Sequence, residues 1–145
     1  MMDLQIGQVL TFRARFNNNG DISKTVHPYL IVDIKENLNV IEVAQFDSME
    51  GKLFKSISKT NCVVYSTHPD ESVIKKDSFI QLDNRFTIER FEGLSKFRNT
   101  TEVLSASKLE KVLRKYKQYH QQNEIDENKI IYMDRQEILE LNCQI

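Results

Sequence analysis

Lys24, Thr25 and His27 put a cation, a hydroxyl and an imidazole within four residues of one another, and Asp47-Ser48 add a carboxylate and a second hydroxyl further along. An imidazole with an ordinary pKa near ~6.5 exchanges protons at neutral pH, and a lysine holds a phosphate charge. Such groups suffice for metal-free RNA cleavage, in which a 2′-hydroxyl attacks the adjacent phosphate and the leaving 5′-oxygen takes a proton. The plainer reading, in which His27 and Ser48 only make loop hydrogen bonds, stays open on these residues alone. Pairing of the strands that follow His27 and precede Asp47 is not counted on to bring the two groups to one end.

Other chemistries find less support. His27, His68 and His120 stand apart and none belongs to HExxH, HxH or HxD, so neither a catalytic metal nor structural zinc is expected. GxxxxGK[ST], GxGxxG and GxSxG are missing, which removes the readable routes to a bound nucleotide cofactor and to a serine hydrolase. Cys62 sits beside Val63 in an apolar run and reads as a core thiol; with Cys143 it forms no CxxC, so both are expected free and reduced.

The elements that must position these groups are mostly strands. Val9 to Phe16 alternates, with Leu10, Phe12, Ala14 and Phe16 toward a core and Arg13 and Arg15 on the other side. Asn17-Asn18-Asn19-Gly20-Asp21 predicts a turn or exposed loop reaching about Val26. Tyr29 to Ile34 reads as a strand covered on both faces, and a turn at Asn37-Leu38-Asn39 joins it as a hairpin to a third strand, Val40 to Phe46. Cys62 to Tyr65 is a short strand, and Ser78 to Leu82 and Arg85 to Glu89 are two more. The gap at Asp83-Asn84 is too short for anything but a bulge or corner. Five or six strands joined by loops predict a mainly β, α+β domain: a small twisted barrel or strongly bent sheet closed by a C-terminal helix.

That helix is predicted over about 106–120, with Leu109, Val112, Leu113 and Tyr116 on one face, and Ser107 with Glu110 as a capping box or Ser105 as the alternative cap. Ile130 to Met133 reads as a short strand, and Asp134 with Glu137 as a second capping box. Residues 1–120 are accordingly expected to form the domain, and 121–145 a docked appendix too small to fold alone.

The 145 residues carry 20 basic and 21 acidic side chains, but unevenly. Nine basic residues against four acidic ones lie between Arg85 and Lys117, whereas Tyr119 to Ile145 has six acidic residues against Lys129 and Arg135. A basic middle favours a polyanion such as RNA, and an acidic tail suggests that residues 121–145 fold over the basic groove as an internal brake, or make a dimer contact. The chain lacks an apolar run of the roughly 20 residues that a membrane span needs, so no membrane association is expected. The sequence from Met1 shows no charged region followed by an apolar stretch, which makes a cytoplasmic location the expectation.

In order along the chain, the motifs resemble those of the PemK/MazF-like toxins of bacterial toxin–antitoxin systems. Ile6-Gly7-Gln8-Val9-Leu10 resembles the opening G-[DEQ]-[VI] strand, and His27-Pro28-Tyr29-Leu30-Ile31-Val32 the R-P-x-[LV]-[IV]-[IV] strand. Val43 to Ser48 is similar to the V-x-P-[IL]-[TS]-[ST] segment, with Gln45 in the region of its proline. Leu82 to Ile88 is similar to L-D-x-x-x-T-[IV], and Leu104 to Lys115 to the closing helix. The resemblance covers about residues 5–117. It implies an SH3-like barrel, usually a homodimer, that cleaves single-stranded RNA without a metal and is inhibited by an antitoxin protein. It also implies a catalytic pair, with Ser48 at the hydroxyl position and His27 where the family has arginine. Imidazole does not clamp a phosphate bidentately as a guanidinium does, but it serves as general acid or base. On this reading His27 moves the proton, Ser48 orients the phosphate, Lys24 stabilises developing charge, and Arg13, Arg15, Thr25 and Arg85 contact the RNA. The alternative is a catalytically inactive relative that binds RNA or a protein.

Overall fold

The computed structural model describes residues 4–48, 60–64 and 77–142, with Ser48 described by its backbone alone. Seven strands form one open, mainly antiparallel sheet: β1 (Val9–Phe12), β2 (His27–Lys35), β3 (Val40–Ser48), β4 (Asn61–Val64), β5 (Ser78–Gln81), β6 (Arg85–Glu89) and β7 (Ile130–Met133). The helices are α1 (Ala106–Gln122) and α2 (Arg135–Asn142). Among the described residues no helix is long and apolar enough to cross a membrane.

The β2–β3 hairpin turns as its sequence predicts. A single 3-10 turn at Glu36–Leu38 ends on Asn39, whose φ of 55° is left-handed and whose N–H returns to the Glu36 carbonyl. Within the ladder the register slips by one residue between Ile31 and Asp33, a bulge that leaves Val32 unopposed. The slip allows Ile31 and Ile34 to face one core while Leu30 and Val32 face the other.

β3 is longer than any partner on its far side. Val40 to Val43 pair with β6, and Phe46 to Ser48 pair with β5. Since β5 and β6 both run antiparallel to β3, they form one strand broken at Leu82–Asn84. That is the corner expected at Asp83-Asn84, fastened by the Asn84 amide donating to Gln81 Oε1 at 2.7 Å.

The first strand is shorter than its alternation predicts, ending at Phe12. Beyond it the chain folds back on itself, with Arg15 bridged to Ile22 and the Ser23 N–H bonded to the Ala14 carbonyl. Asn17 organises the turn: its Oδ1 accepts from the Asn19 and Asp21 N–H groups and its amide donates to Asp21. Phe16 therefore leaves the core and is 45% exposed.

Each sheet face buries its own cluster. On one, Phe12 stacks on Tyr29 at 4.5 Å and Phe86 meets Tyr29 edge-on at 5.5 Å, amid Leu10, Ile31, Ile41, Val43, Ile88 and Leu94. On the other, Val112 and Tyr116 of α1 cover Leu30, Ala44, Phe46, Cys62 and Ile80. Cys62 is a buried free thiol, as expected; Cys143 and His68, like Met49 to Lys52 and the Tyr65 end of the fourth strand, lie outside the described residues. The Tyr116 hydroxyl donates to buried Glu42 at 2.6 Å, and Lys35 reaches the same carboxylate at 3.5 Å, so its charge is not stranded under the helix. Ser105 rather than Ser107 is the N-cap of α1, and it makes no side-chain capping bond.

Residues 127–142 are built into the sheet. The connection through α1 lets β7 lie parallel beside β6, with Arg85 opposite Ile130 and Ile88 opposite Met133. This parallel pair with a helix between its strands was not expected. Asp134 caps α2 by accepting from the Glu137 N–H, while the Glu137 carboxylate reaches across to Arg15 instead of completing the box. Ile131, Met133 and Ile138 enter the aromatic cluster, on the face of the sheet opposite α1. The described part of the acidic tail is thus built into a core, on the face of the sheet away from α1. Met133→Ala and Ile138→Ala should each cost about 2–5 kcal/mol of total stability, the usual range for a buried aliphatic truncated to alanine. Urea unfolding should show that loss in a single cooperative transition; an early, separate transition for the tail would contradict it.

Candidate functional site

Where β3 passes from one partner to the other, the sheet splits and leaves a cleft of about 820 Å³. Its floor is made by alternate residues of three strands: Tyr29 on β2, Gln45 and Asp47 on β3, Phe79 and Gln81 on β5. One wall is the folded-back loop with Phe16, Ile22, Lys24 and Thr25, rising to His27 at the start of β2. The other is the corner residues Asp83 and Asn84, with Asn128 and Lys129 from the turn before β7.

The hairpin itself places His27 and Asp47 at one end. Tyr29 lies opposite Gln45 in an antiparallel ladder, so the start of β2 runs beside the finish of β3. His27 is held on its other side by β1, opposite Phe12. Its half-buried ring lines the cleft, and neither ring nitrogen has a hydrogen-bond partner among the described residues. Lys24 is exposed at the rim and likewise has no carboxylate partner there. Lys129, by contrast, is paired with Asp83 at 2.6 Å, a bond that pushes its ammonium above the usual lysine range. Burial pushes the Tyr29 phenol upward, so it stays protonated in the floor.

Of the residues expected to act on RNA, the fold brings Lys24, Thr25 and His27 to the cleft. Ser48 ends β3 opposite Ser78, next to Asp47, and its side chain lies outside the described residues. The three arginines do not line the cleft. Arg13 donates from Nε to the Ser23 carbonyl, and its backbone is bonded in both directions by the Asn142 side chain. Arg15 is spent on structure: it pairs with Glu137 at 2.7 Å and donates to the Tyr132 carbonyl and to Asn18 Oδ1. Arg85 turns toward α1, where Nη2 lies 3.1 Å from His120 Nδ1 and Nε is buried without a partner.

Sequence reasoning missed Gln45, Asn84, Asn128 and the aromatic pair Phe16 and Phe79. Only Phe16 carried a signal: it sits one residue before an asparagine-rich turn, where alternation has no further strand to continue. With them the cleft presents one exposed aromatic face, Phe16, several amides, and Lys24 and Lys129 offset by Asp47 and Asp83. Among the described residues, no group of three or more His, Cys, Asp or Glu side chains is arranged to hold a metal.

The Arg85–His120 contact has its own pH signature. With Nδ1 accepting from Arg85, His120 Nε2 carries the hydrogen and donates to the Leu82 carbonyl at 2.8 Å. Burial first, and then the Arg85 charge, hold this imidazole below the ordinary histidine value, against smaller upward pulls from the Leu82 bond, Glu42 and Asp83. The unfolded chain therefore takes up the proton before the folded one. The contribution is full above about pH 6.5 and is lost as the pH falls toward and through the folded value. Urea midpoints should drop on acidification from about pH 8 to pH 5, and His120→Gln should flatten that part of the dependence. An equal slope in the variant would assign the acid sensitivity to other groups.

No family model matches the chain, and no curated protein matches it in sequence.

Proposed function

We propose that the chain is a metal-independent endoribonuclease of single-stranded RNA, similar in mode to the PemK/MazF-like toxins, and that the cleft at the split of the sheet is its active site. The observation that carries this reading is His27: a half-buried imidazole with both nitrogens unbonded among the described residues, in a cleft with a lysine at its rim that has no carboxylate partner among them. The cleft lies within the roughly 300–1,000 Å³ typical of small-molecule sites, so it takes a short stretch of strand and not a duplex. Phe16, 45% exposed, offers a face on which an unstacked base rests, and Gln45 offers a donor and an acceptor to base edges.

In this mechanism the 2′-oxygen attacks the neighbouring phosphorus, the bond to the 5′-oxygen breaks, and the products are a 2′,3′-cyclic phosphate and a 5′-hydroxyl. His27 takes the proton from the 2′-hydroxyl or delivers one to the leaving 5′-oxygen, and water exchanges the other proton. Lys24 offsets the charge that develops on the phosphate, and Ser48, at the end of β3, orients it. The bent sheet, with side chains spanning from the β1 side to β7, supports an SH3-like barrel as the frame. An inhibiting antitoxin protein, a homodimer and a cytoplasmic setting belong to the same proposal.

One observation favours a second reading, an RNA-binding module without turnover. All three arginines expected at the site are engaged elsewhere, and Asp47 and Asp83 offset the two cleft lysines. Incubation of a long single-stranded RNA with the protein in EDTA, with mapping of the cut ends, separates the two. Cleavage with cyclic phosphate ends, reduced about 10²–10⁴-fold in His27→Ala, is expected for a lost proton-transfer group. RNA that is bound but left intact at high protein concentration would establish the binding module instead.

A further inference from the structure

The cleft accounts for few of the chain's cations, and the fold shows where others are presented. α1 lays Val112 and Tyr116 into the core and leaves Lys111, Arg114, Lys115 and Lys117 exposed. Lys111, Arg114 and Lys115 stand at i, i+3 and i+4 and so share one helical face. No carboxylate pairs with any of these three among the described residues. Three neighbouring cations left unpaired repel one another and gain from a polyanion that neutralises them together.

Their position relative to the cleft is fixed by β4. Cys62 on that strand lies within reach of both the Lys111 and the Lys115 ammonium groups, which draw its thiol down against the larger upward effect of burial. Asn61, the residue before it, points to the other face of the sheet and lines the cleft. At its far end α1 is tied to the same corner, because His120 donates to the Leu82 carbonyl next to Asp83. Among the described residues β4 ends the strand order, paired with β5, so a strand leaving the cleft past Asn61 reaches the cationic face of α1 by turning around the side of β4 away from β5.

We propose that Lys111, Arg114 and Lys115 form a phosphate track that holds the single-stranded RNA running out of the cleft and around β4. This rests on the RNA reading of the cleft and adds where the rest of the strand lies. The track contacts phosphates and not bases, so it contributes affinity without sequence preference. It also makes that affinity depend on strand length and on salt.

The test uses the full chain and two fluorescent RNAs with 2′-O-methyl sugars, which block attack by the 2′-oxygen and leave binding alone to be read. One probe is about four nucleotides long and fits the cleft; the other is about 20 and reaches the track. Lys111→Glu/Arg114→Glu/Lys115→Glu should weaken binding of the long probe about tenfold or more and lower its salt slope by about 2, at about 0.7 per single-strand phosphate. Binding of the short probe should not change. The milder triple glutamine variant should give the same pattern at reduced size, which separates lost attraction from a disturbed helix. Unchanged affinity and salt slope for the long probe in both variants would overturn the track while leaving the cleft reading intact. Failure of both probes to bind the unaltered protein would overturn the RNA reading, and the track with it.

Discussion

The structure turns on β3 being too long for any one neighbour. Its nine residues keep β2 along one side, but on the other they are shared between β6 and then β5. A sheet cannot stay continuous through such a change of partner, because right-handed twist rotates successive strands away from one another. The chain joining β5 to β6 has to turn a corner, and the two leaves of the sheet diverge there. The cleft is the space this divergence opens, and the corner residues Asp83 and Asn84 are part of its wall.

The second constraint is the edge left at β1. A four-residue strand cannot pair onward to β7, yet open backbone groups beside an aromatic core are costly. Polar side chains do the work of a ladder. Asn142 both donates to and accepts from the backbone of Arg13, Arg15 reaches the Tyr132 carbonyl, and Asn18 reaches the carbonyls of Glu127 and Ile130. Arg15, with its planar fork of donors, serves four partners at once: Glu137, Tyr132, Asn18 and the Asn17 carbonyl. The same contacts hold the folded-back loop in place, so the wall carrying Lys24 and Thr25 is anchored by the tail as well as by the bonds within its own turn.

Much of this frame was legible because it depends on local rules. The hairpin turn at Asn39 follows from a residue that tolerates left-handed backbone, the corner from a two-residue gap between strands, and the α1 face from apolar spacing. What stayed hidden depends on distant partners. Arginines alternating with apolar residues look the same whether they face solvent or a glutamate 122 positions away, so Arg15 read as an RNA contact. Arg85 in turn lies against His120, which nothing near it in sequence announces. The parallel placement of β7 rests on packing of Ile131 and Met133, which four residues of strand pattern do not specify. At the site, His27 was readable from its residue type and its place before a buried strand. Gln45 and Asn84 were not, because an amide in a strand or a corner looks the same whether it lines a cleft or meets water.

The Arg15–Glu137 pair carries a consequence for how the molecule comes into being. Synthesis proceeds from the amino terminus, and most of the sheet and all of α1 emerge before Glu137 exists to receive Arg15. Until then the loop with Lys24 lacks its anchor on the tail, and the aromatic core lacks Ile131, Met133 and Ile138. Contacts spanning so much chain form late, since their closure entropy must be met before they stabilise anything. A nascent chain therefore carries its catalytic candidates for most of its translation without the wall that assembles them, and the cleft is completed only in the closing stage of folding.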